Sequence, residues 1–227
     1  MGENSPQSCS FQRARTPQQR QQRQDMILAA TRALLEKDGL SALTLNGIAR
    51  KVGLAKSNVL RYFGSREAIL LRITTEEYRL WLGEVEDALI SIDEGGAQAI
   101  HEAASILAAI TVKRPLLCPL LHDLSATFEH NVTVEEIIEF KRDILLLLNR
   151  LADALERVCG PFSEAGRKMI IPLIHAAMTQ TWEGAHPAPA LVAAAQQEPS
   201  IPLRQGQQEH YLRLALTIIL GGLRRRD

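Results

Sequence analysis

Aromatic side chains are scarce in this chain, 4% of 227 residues, with two tryptophans and three tyrosines, so any aromatic site rests on few positions. Cysteine is scarcer still. Cys9, Cys118 and Cys159 form an odd set without metal-ligand spacing, which excludes a disulfide framework and suits free thiols in a reducing cytoplasm. No uninterrupted apolar run approaches the ~18 residues of a membrane span. The opening stretch MGENSPQSCSFQ has no apolar signal core, so a cytoplasmic location and no membrane contact are expected. Extended alternation of β-branched residues bounded by turns is missing, which leaves an all-helical soluble fold. There is no glycine-rich phosphate loop, nucleophile elbow or metalloprotease helix. The paired carboxylates Glu135 and Glu136 are explained by electrostatics at a helix start. Neither an enzymatic activity nor a cofactor is expected.

What is present centres on residues 44–63, TLNGIARKVGLAKSNVLRYF. Leu45, Ile48, Ala49 and Val52 recur at helical spacing, with Thr44 placed as an N-cap. Gly53 stops that helix, because glycine takes the left-handed conformation of a sharp turn at little cost. Lys56 to Phe63 resume a helical pattern with Val59, Leu60 and Phe63 facing inward. Lys56, Ser57, Asn58, Arg61 and Tyr62 then form the polar and aromatic face of a short second helix. Such a face after a glycine turn is what reading the DNA major groove requires. Lys56 and Arg61 suit phosphate or guanine, Asn58 suits adenine or phosphate, Ser57 and Thr44 suit phosphate oxygens, and Tyr62 suits a phosphate or a thymine methyl.

Formal net charge is zero, but unevenly spread. Residues 1–66 hold 11 Lys+Arg against 4 Asp+Glu, and residues 67–227 hold 15 against 22. A basic head on an acidic body is the footprint of phosphate binding, with the body repelled from DNA.

In chain order, residues 1–18 read as a disordered basic arm, in which Arg13 and Arg15 can reach DNA. Residues 19–66 read as the DNA-binding domain. Its first helix runs from about Gln19 to Lys37, with Ile27, Ala30, Leu34 and Leu35 inward. Arg20 and Arg23 lie near that helix and are placed for phosphate. Ser65 caps a long helix that reaches about Ile90 and joins head to body rigidly. Residues 67–227 read as a six-helix body. Expected features are a first-turn Pro115, a capping box at Thr133 and Glu136, helix-interior Pro119 and Pro172, and a proline-rich loop from Gly184 to Leu203.

Residues 27–70 resemble the N-terminal domain of the TetR family of transcriptional regulators. The resemblance rests on Ile27, Leu28, Ala29, Ala30, Gly39, Thr44, Ile48, Ala49, Gly53, Lys56, Tyr62, Phe63, Arg66 and Glu67. Two positions depart from the pattern: Leu60 stands where tyrosine is common, and Gly47 where an acidic residue would complete a capping box with Thr44.

The resemblance implies a homodimer on an inverted-repeat DNA operator, with half-sites spaced by about one turn of DNA, ~34 Å, or somewhat more. Arg66, in the matched pattern, joins the expected DNA-binding set. The last two long helices would pair with their mates through Met169, Leu173, Leu212, Ala215, Ile219 and Gly222; the alternative is that these face the core of their own subunit. The resemblance also implies a small-molecule effector in the body. Its candidate lining is Tyr78, Trp81, His101, His122, Phe128, Phe140, His175, Thr179 and Trp182, and the expected mode is a repressor released by a small hydrophobic molecule. A metal-responsive variant would draw on His101, His122, Asp123, His130 and His175, although their spacing matches no metal-site pattern and no metal is assigned. A helical protein-interaction module leaves the basic face unexplained.

Overall fold

In the computed structural model, which describes residues 16–93 and 95–224, ten α-helices and one π-helical turn follow one another. Among the described residues there is no strand, only an isolated bridge between Phe162 and Arg224. The all-helical expectation is met.

Three helices make the head: α1 (Pro17–Asp38), α2 (Leu45–Val52) and α3 (Lys56–Phe63). Residues 1–15 of the expected arm, with Arg13, Arg15 and Cys9, lie outside the described residues. Thr16 to Gln18, expected to belong to that arm, instead open α1. The Thr16 hydroxyl accepts from the Gln19 amide, the Gln19 side chain accepts from the Thr16 amide, and Pro17 sits in the first turn where its missing N–H costs nothing. The buried stripe of α1 is Ile27, Leu28, Thr31 and Leu35. Thr31 takes an inward place expected of Ala30 because its hydroxyl donates to Ile27 O at 2.8 Å and so enters the core satisfied.

α4 (Arg66–Leu89) carries the chain from head to body. Ser65 caps it through the Ala68 amide at 2.9 Å. The preceding Gly64 has φ +66°, and a Cβ there would lie 2.8 Å from a carboxylate oxygen of Glu136, so the head's last turn and the body meet on a residue without a side chain. Half of the residues of α4 are buried, with Ile69, Leu70, Ile73, Tyr78, Trp81, Leu82, Val85 and Leu89 fully inside.

The body continues through α5 (Gly96–Val112), α6 (Leu117–Asp123), the π-turn Leu124–Phe128, α7 (Val134–Cys159), α8 (Glu164–Ala185), α9 (Pro189–Gln197) and α10 (Gln208–Leu223). α10 packs on α5 and α8, and α4 packs on α5 and α7. The Thr133–Glu136 capping box opens α7 as expected. Three expectations need correction. Pro115 stands two residues before α6 and not in its first turn. Pro119 is the third residue of α6, where the missing N–H has no helical partner to lose, so only Pro172 interrupts a helix interior. The loop expected over Gly184–Leu203 contains α9, so the body has seven α-helices among the described residues. Pro189 starts α9, and the Ala-rich run ALVAAAQQ favours a helix although none of its residues is fully buried.

Head and body are locked by buried charge. Arg32 of α1 pairs with Glu76 at 2.8 Å and with Glu77, both on α4. Glu77 also faces Arg114, at 3.5 Å, and Arg114 reaches Glu84 at 2.6 Å. The Glu77 side chain is 8% exposed, so neutralising it leaves two guanidiniums short of charge in a low-dielectric place. Glu77→Ala should cost about 3 kcal/mol of unfolding free energy, measured by urea denaturation; a change below about 1 kcal/mol would show the network to be no more than a surface pair.

Candidate nucleic-acid interface and body core

The turn between α2 and α3 sets the head's exposed face. Gly53 adopts φ +68° and ψ 32°, and its amide reaches Ala49 O and Arg50 O. The Leu54 amide also donates to Ala49 O, at 2.9 Å. Thr44 caps α2 by accepting from the Gly47 amide at 3.0 Å, and no reciprocal side chain exists at Gly47. The Thr44 hydroxyl proton is therefore free to donate outward. α3 begins at Ala55 without a side-chain cap, which leaves first-turn amides for an external acceptor such as a phosphate. Val59 is buried and pins α3 to the head, while Lys56, Ser57 and Arg61 are exposed and Asn58 and Tyr62 are half-buried. Leu60 and Phe63, expected inward, are only half-buried. Tyr62 is fixed from α1: Gln24 donates to its carbonyl at 3.3 Å, and the Arg20 guanidinium lies 5.9 Å from its ring centroid.

Arg66, expected among the DNA contacts, is engaged within the chain. Its Nη1 donates to Leu43 O at 3.0 Å and its Nε to Glu67 at 3.0 Å, so the guanidinium ties the start of α4 to the loop before α2. Arg50 and Lys51, exposed in the last turn of α2, were not among the expected residues. Their signal in the sequence was two adjacent cations just before the turn glycine, where they also complement the negative end of the helix dipole.

In the body, the expected effector residues separate into groups. Tyr78, Trp81 and His175 meet: the Tyr78 ring is 5.1 Å from Trp81 and 5.5 Å, edge-on, from His175. Tyr78 OH and His175 Nε2 are 3.3 Å apart, and Trp81 Nε1 donates to Thr111 at 3.1 Å. Thr179, a turn further on α8, donates to His175 O. Phe128 is fully buried. His101 is exposed on α5 and belongs to no such group. His122 lies at the surface, with Nδ1 3.2 Å from Glu183 and its ring 5.9 Å from Trp182. Two cavities lie where head meets body. One of about 500 Å³ is bounded by α1, α3, α4 and α7 and includes Phe140; the other, about 420 Å³, lies between Leu35–Ser41 and Pro115–Asp123 and includes Trp182. The other seven expected residues border neither. Among the described residues no group of three His, Cys, Asp or Glu side chains is gathered as a metal site.

Burial governs the protonation of this core. It pushes the His175 imidazole down to about 4 and raises the Tyr78 phenol far above its ordinary value, so a neutral ring and a protonated hydroxyl share their hydrogen bond. The buried thiols of Cys118 and Cys159 rise to about 12 and about 11, which keeps both protonated and unreactive near neutral pH.

One residue of the expected dimer seam is not at the surface. Leu212 is fully buried inside its own subunit, packed where α10 meets α5 and α8, so it cannot face a mate. Met169 and Gly222 are exposed, and Leu173, Ala215 and Ile219 are half-buried. The outward apolar line on α10 is Leu214, Ile218 and Gly222, at i, i+4 and i+8; Ile218 is 75% exposed. Leu214 and Ile218 were missed because the sequence period fits either face of this helix.

A helix-turn-helix head rigidly joined to an all-helical body defines a DNA-binding regulator. The comparisons agree. The family description "Tetracyclin repressor-like, C-terminal domain" matches residues 75–227, and "Bacterial regulatory proteins, tetR family" matches residues 27–73. The chain belongs to the TetR family of transcriptional regulators. No curated protein sequence matches it significantly. Among solved structures it is similar to a TetR-family protein of Streptomyces coelicolor A3(2), at TM-score 0.58 and 16% identity, covering 88% of this chain and 97% of that one. It is also similar to FadR of Thermus thermophilus, a repressor solved with lauroyl-CoA, at TM-score 0.55 and 18% identity, covering 90% and 96%. A third is the fatty acid degradation regulator FadR of Bacillus halodurans, at TM-score 0.51 and 17% identity, covering 94% and 100%. At these identities the likeness is one of fold. No single helix among the described residues is long and apolar enough to cross a membrane.

The lowered His175 value has a consequence for stability. Unfolding returns the ring to an ordinary pKa near 6.5, so between about 4 and 6.5 the unfolded chain binds a proton that the folded chain does not. Its contribution is therefore complete above pH 6.5 and is lost as pH falls toward 4. Because His175 keeps part of its surface accessible, about 3 kcal/mol is the upper bound on that loss. Urea melts of the wild type and His175→Gln at pH 7.5 and pH 5 should show a smaller pH dependence in the variant; equal dependence would refute the assignment.

Proposed function

We propose that this regulator is a homodimeric repressor that binds an inverted-repeat operator in the cytoplasm and releases it when a small hydrophobic molecule binds the body. The observation that carries the DNA half is α3 itself: Lys56, Ser57 and Arg61 exposed, Asn58 and Tyr62 beside them, the N-terminus uncapped, and Val59 buried behind. Lys56 and Arg61 take phosphate or guanine, Asn58 takes adenine or phosphate, and Thr44 and Ser57 donate to phosphate oxygens. Arg50 and Lys51 add backbone contacts next to the turn. TetR-family regulators are non-enzymatic, and this reading needs no catalytic group.

Dimerisation is supported by the outward line Leu214, Ile218 and Gly222 on α10 with Met169 and Leu173 on α8, which suits a four-helix seam with a second copy. The effector reading rests on Tyr78 and Trp81 of α4, the helix that carries the head, and on His175 of α8, which shares a hydrogen bond with Tyr78. Opening that core moves α4, so a ligand that prefers the opened form lowers operator affinity by its own preference and no more. Lauroyl-CoA, seen with the Thermus thermophilus FadR, is a reasonable first effector to try.

Selection of bound sequences from random duplex DNA should return an inverted repeat. On that operator, replacing Lys56 and Arg61 with alanine should weaken binding roughly hundredfold and flatten the log–log salt dependence by about two, with dimer mass unchanged by light scattering. Unaltered operator affinity in the double variant would remove α3 as the reading helix.

A further inference from the structure

Where the loop between α1 and α2 faces α6, a cavity of about 420 Å³ opens between head and body, inside the range of about 300–1,000 Å³ usual for small-molecule sites. Leu35 and Leu120 are almost wholly buried beneath it. The apolar surface left to an occupant comes from Leu40, Leu116, Pro119 and Trp182, all half-buried, and from the exposed Pro115. Two carboxylates stand among these groups, Glu36 from the last turn of α1 and Asp123 from the end of α6, and no lysine, arginine or histidine lines the cavity. Glu36 is exposed and the Asp123 side chain is 38% exposed, so both meet water at the mouth. Among the described residues neither is paired with a lysine or arginine; Asp123 has the His122 ring, at 3.8 Å. Cations of the adjoining turns face other carboxylates: Arg32 takes Glu76 and Glu77, Lys37 lies 4.0 Å from Asp38, and Arg114 takes Glu77 and Glu84. The charge of the lining is therefore negative, and the surface behind it is apolar.

We propose that this cavity is a ligand site, separate from the body core around Tyr78 and His175, for a cationic amphiphile with a primary ammonium head. The ammonium stands at the mouth, where Glu36 and Asp123 each have lone pairs free for a charge-assisted hydrogen bond, and the hydrocarbon lies against Leu40, Leu116, Pro119 and Trp182. An anion is repelled at the same mouth, and a neutral alcohol of equal length gains only the apolar contact. The two walls belong to different halves of the molecule. Gly39, Leu40 and Ser41 lead toward Thr44, which caps α2, while Pro115 to Asp123 are α6 and its approach in the body. An occupant touching both walls holds head and body in the arrangement of this structure, and it binds less well to any form in which the walls separate. Occupancy and head position are thereby linked, whether or not α3 reads DNA.

The test needs no DNA. The full chain is titrated calorimetrically at pH 7.5 with octylammonium below its micelle threshold, and in parallel with octanol and octanoate. Octylammonium should bind saturably, octanol roughly tenfold more weakly and octanoate not at all. The double variant Glu36→Gln with Asp123→Asn should bring octylammonium down to the affinity of octanol and leave octanol unmoved. Ser41→Trp, which fills the cavity from an exposed loop position, should abolish the binding of both. Thermal melts confirm that the variants fold; Glu36 and Asp123 both reach solvent, so their variant remains informative if Ser41→Trp does not fold. Octanol binding as tightly as the ammonium, octanoate binding, no ammonium binding, or ammonium binding unmoved by the double variant would overturn the site. Ammonium binding that persists in folded Ser41→Trp would place it elsewhere in the molecule and overturn the site equally. Octylammonium should also raise the Tm of the wild type more than that of the double variant; an equal rise would count against the two carboxylates. Failure of the DNA reading would show separately, as no operator enrichment before any amphiphile is added.

Discussion

The Glu77 carboxylate holds the molecule's two halves in register. It is the one acidic side chain that the head's Arg32 and the body's Arg114 both face, and it is nearly inaccessible to water. Glu76 and Glu84 each serve one of these arginines, but only Glu77 faces both, and Arg114 Nε is buried without a hydrogen-bond partner among the described residues. One turn along the same helix, Trp81 donates to Thr111, three residues before Arg114. Polar bonds thus fasten α4 to α1 on one side and to the end of α5 on the other. Any shift of α4 must break or rotate both together, and this makes it a lever between the two regions.

Elsewhere the head touches the body lightly. Gly64 meets Glu136 at the start of α7, and the flanking surfaces enclose two cavities on different sides of the junction. Alongside α4, α7 is held by the exposed pairs Arg72–Glu139, Arg79–Asp143 and Arg150–Glu86. Such solvent-facing pairs contribute about 0–1 kcal/mol each and set direction more than strength. The charge split seen in the sequence acquires a geometry from this: the acidic wall of the larger cavity belongs to the body, and the guanidiniums of Arg20 and Arg61 belong to the head.

Much of the head was legible because its signals are local. A threonine before an apolar period, a glycine after it and a serine before the next helix each act on their own backbone neighbours, and each appears where expected at Thr44, Gly53 and Ser65. The capping box at Thr133 is of the same kind. The signals faded where long-range partners decide. Arg66, expected among the DNA contacts from the matched pattern, is held by Leu43 O, 23 residues away, and by its neighbour Glu67. α9 was hidden because prolines dominate its surroundings, although the Ala-rich run between them starts on a proline that suits a helix N-terminus.

Periodicity and capping, then, determined by themselves the all-helical class, the three helices of the head, and the bounds of most body helices, since hydrogen bonding within a helix depends on nearby residues. Tertiary structure decided the rest. It placed Leu212 inside and Ile218 outside, gathered Tyr78, Trp81 and His175 while leaving His101 on the surface, and brought Arg20 and Arg61 to one cleft between head and body. Those placements depend on the rotation of one helix against another. A helix with apolar residues on more than one face leaves that rotation open until its neighbours pack.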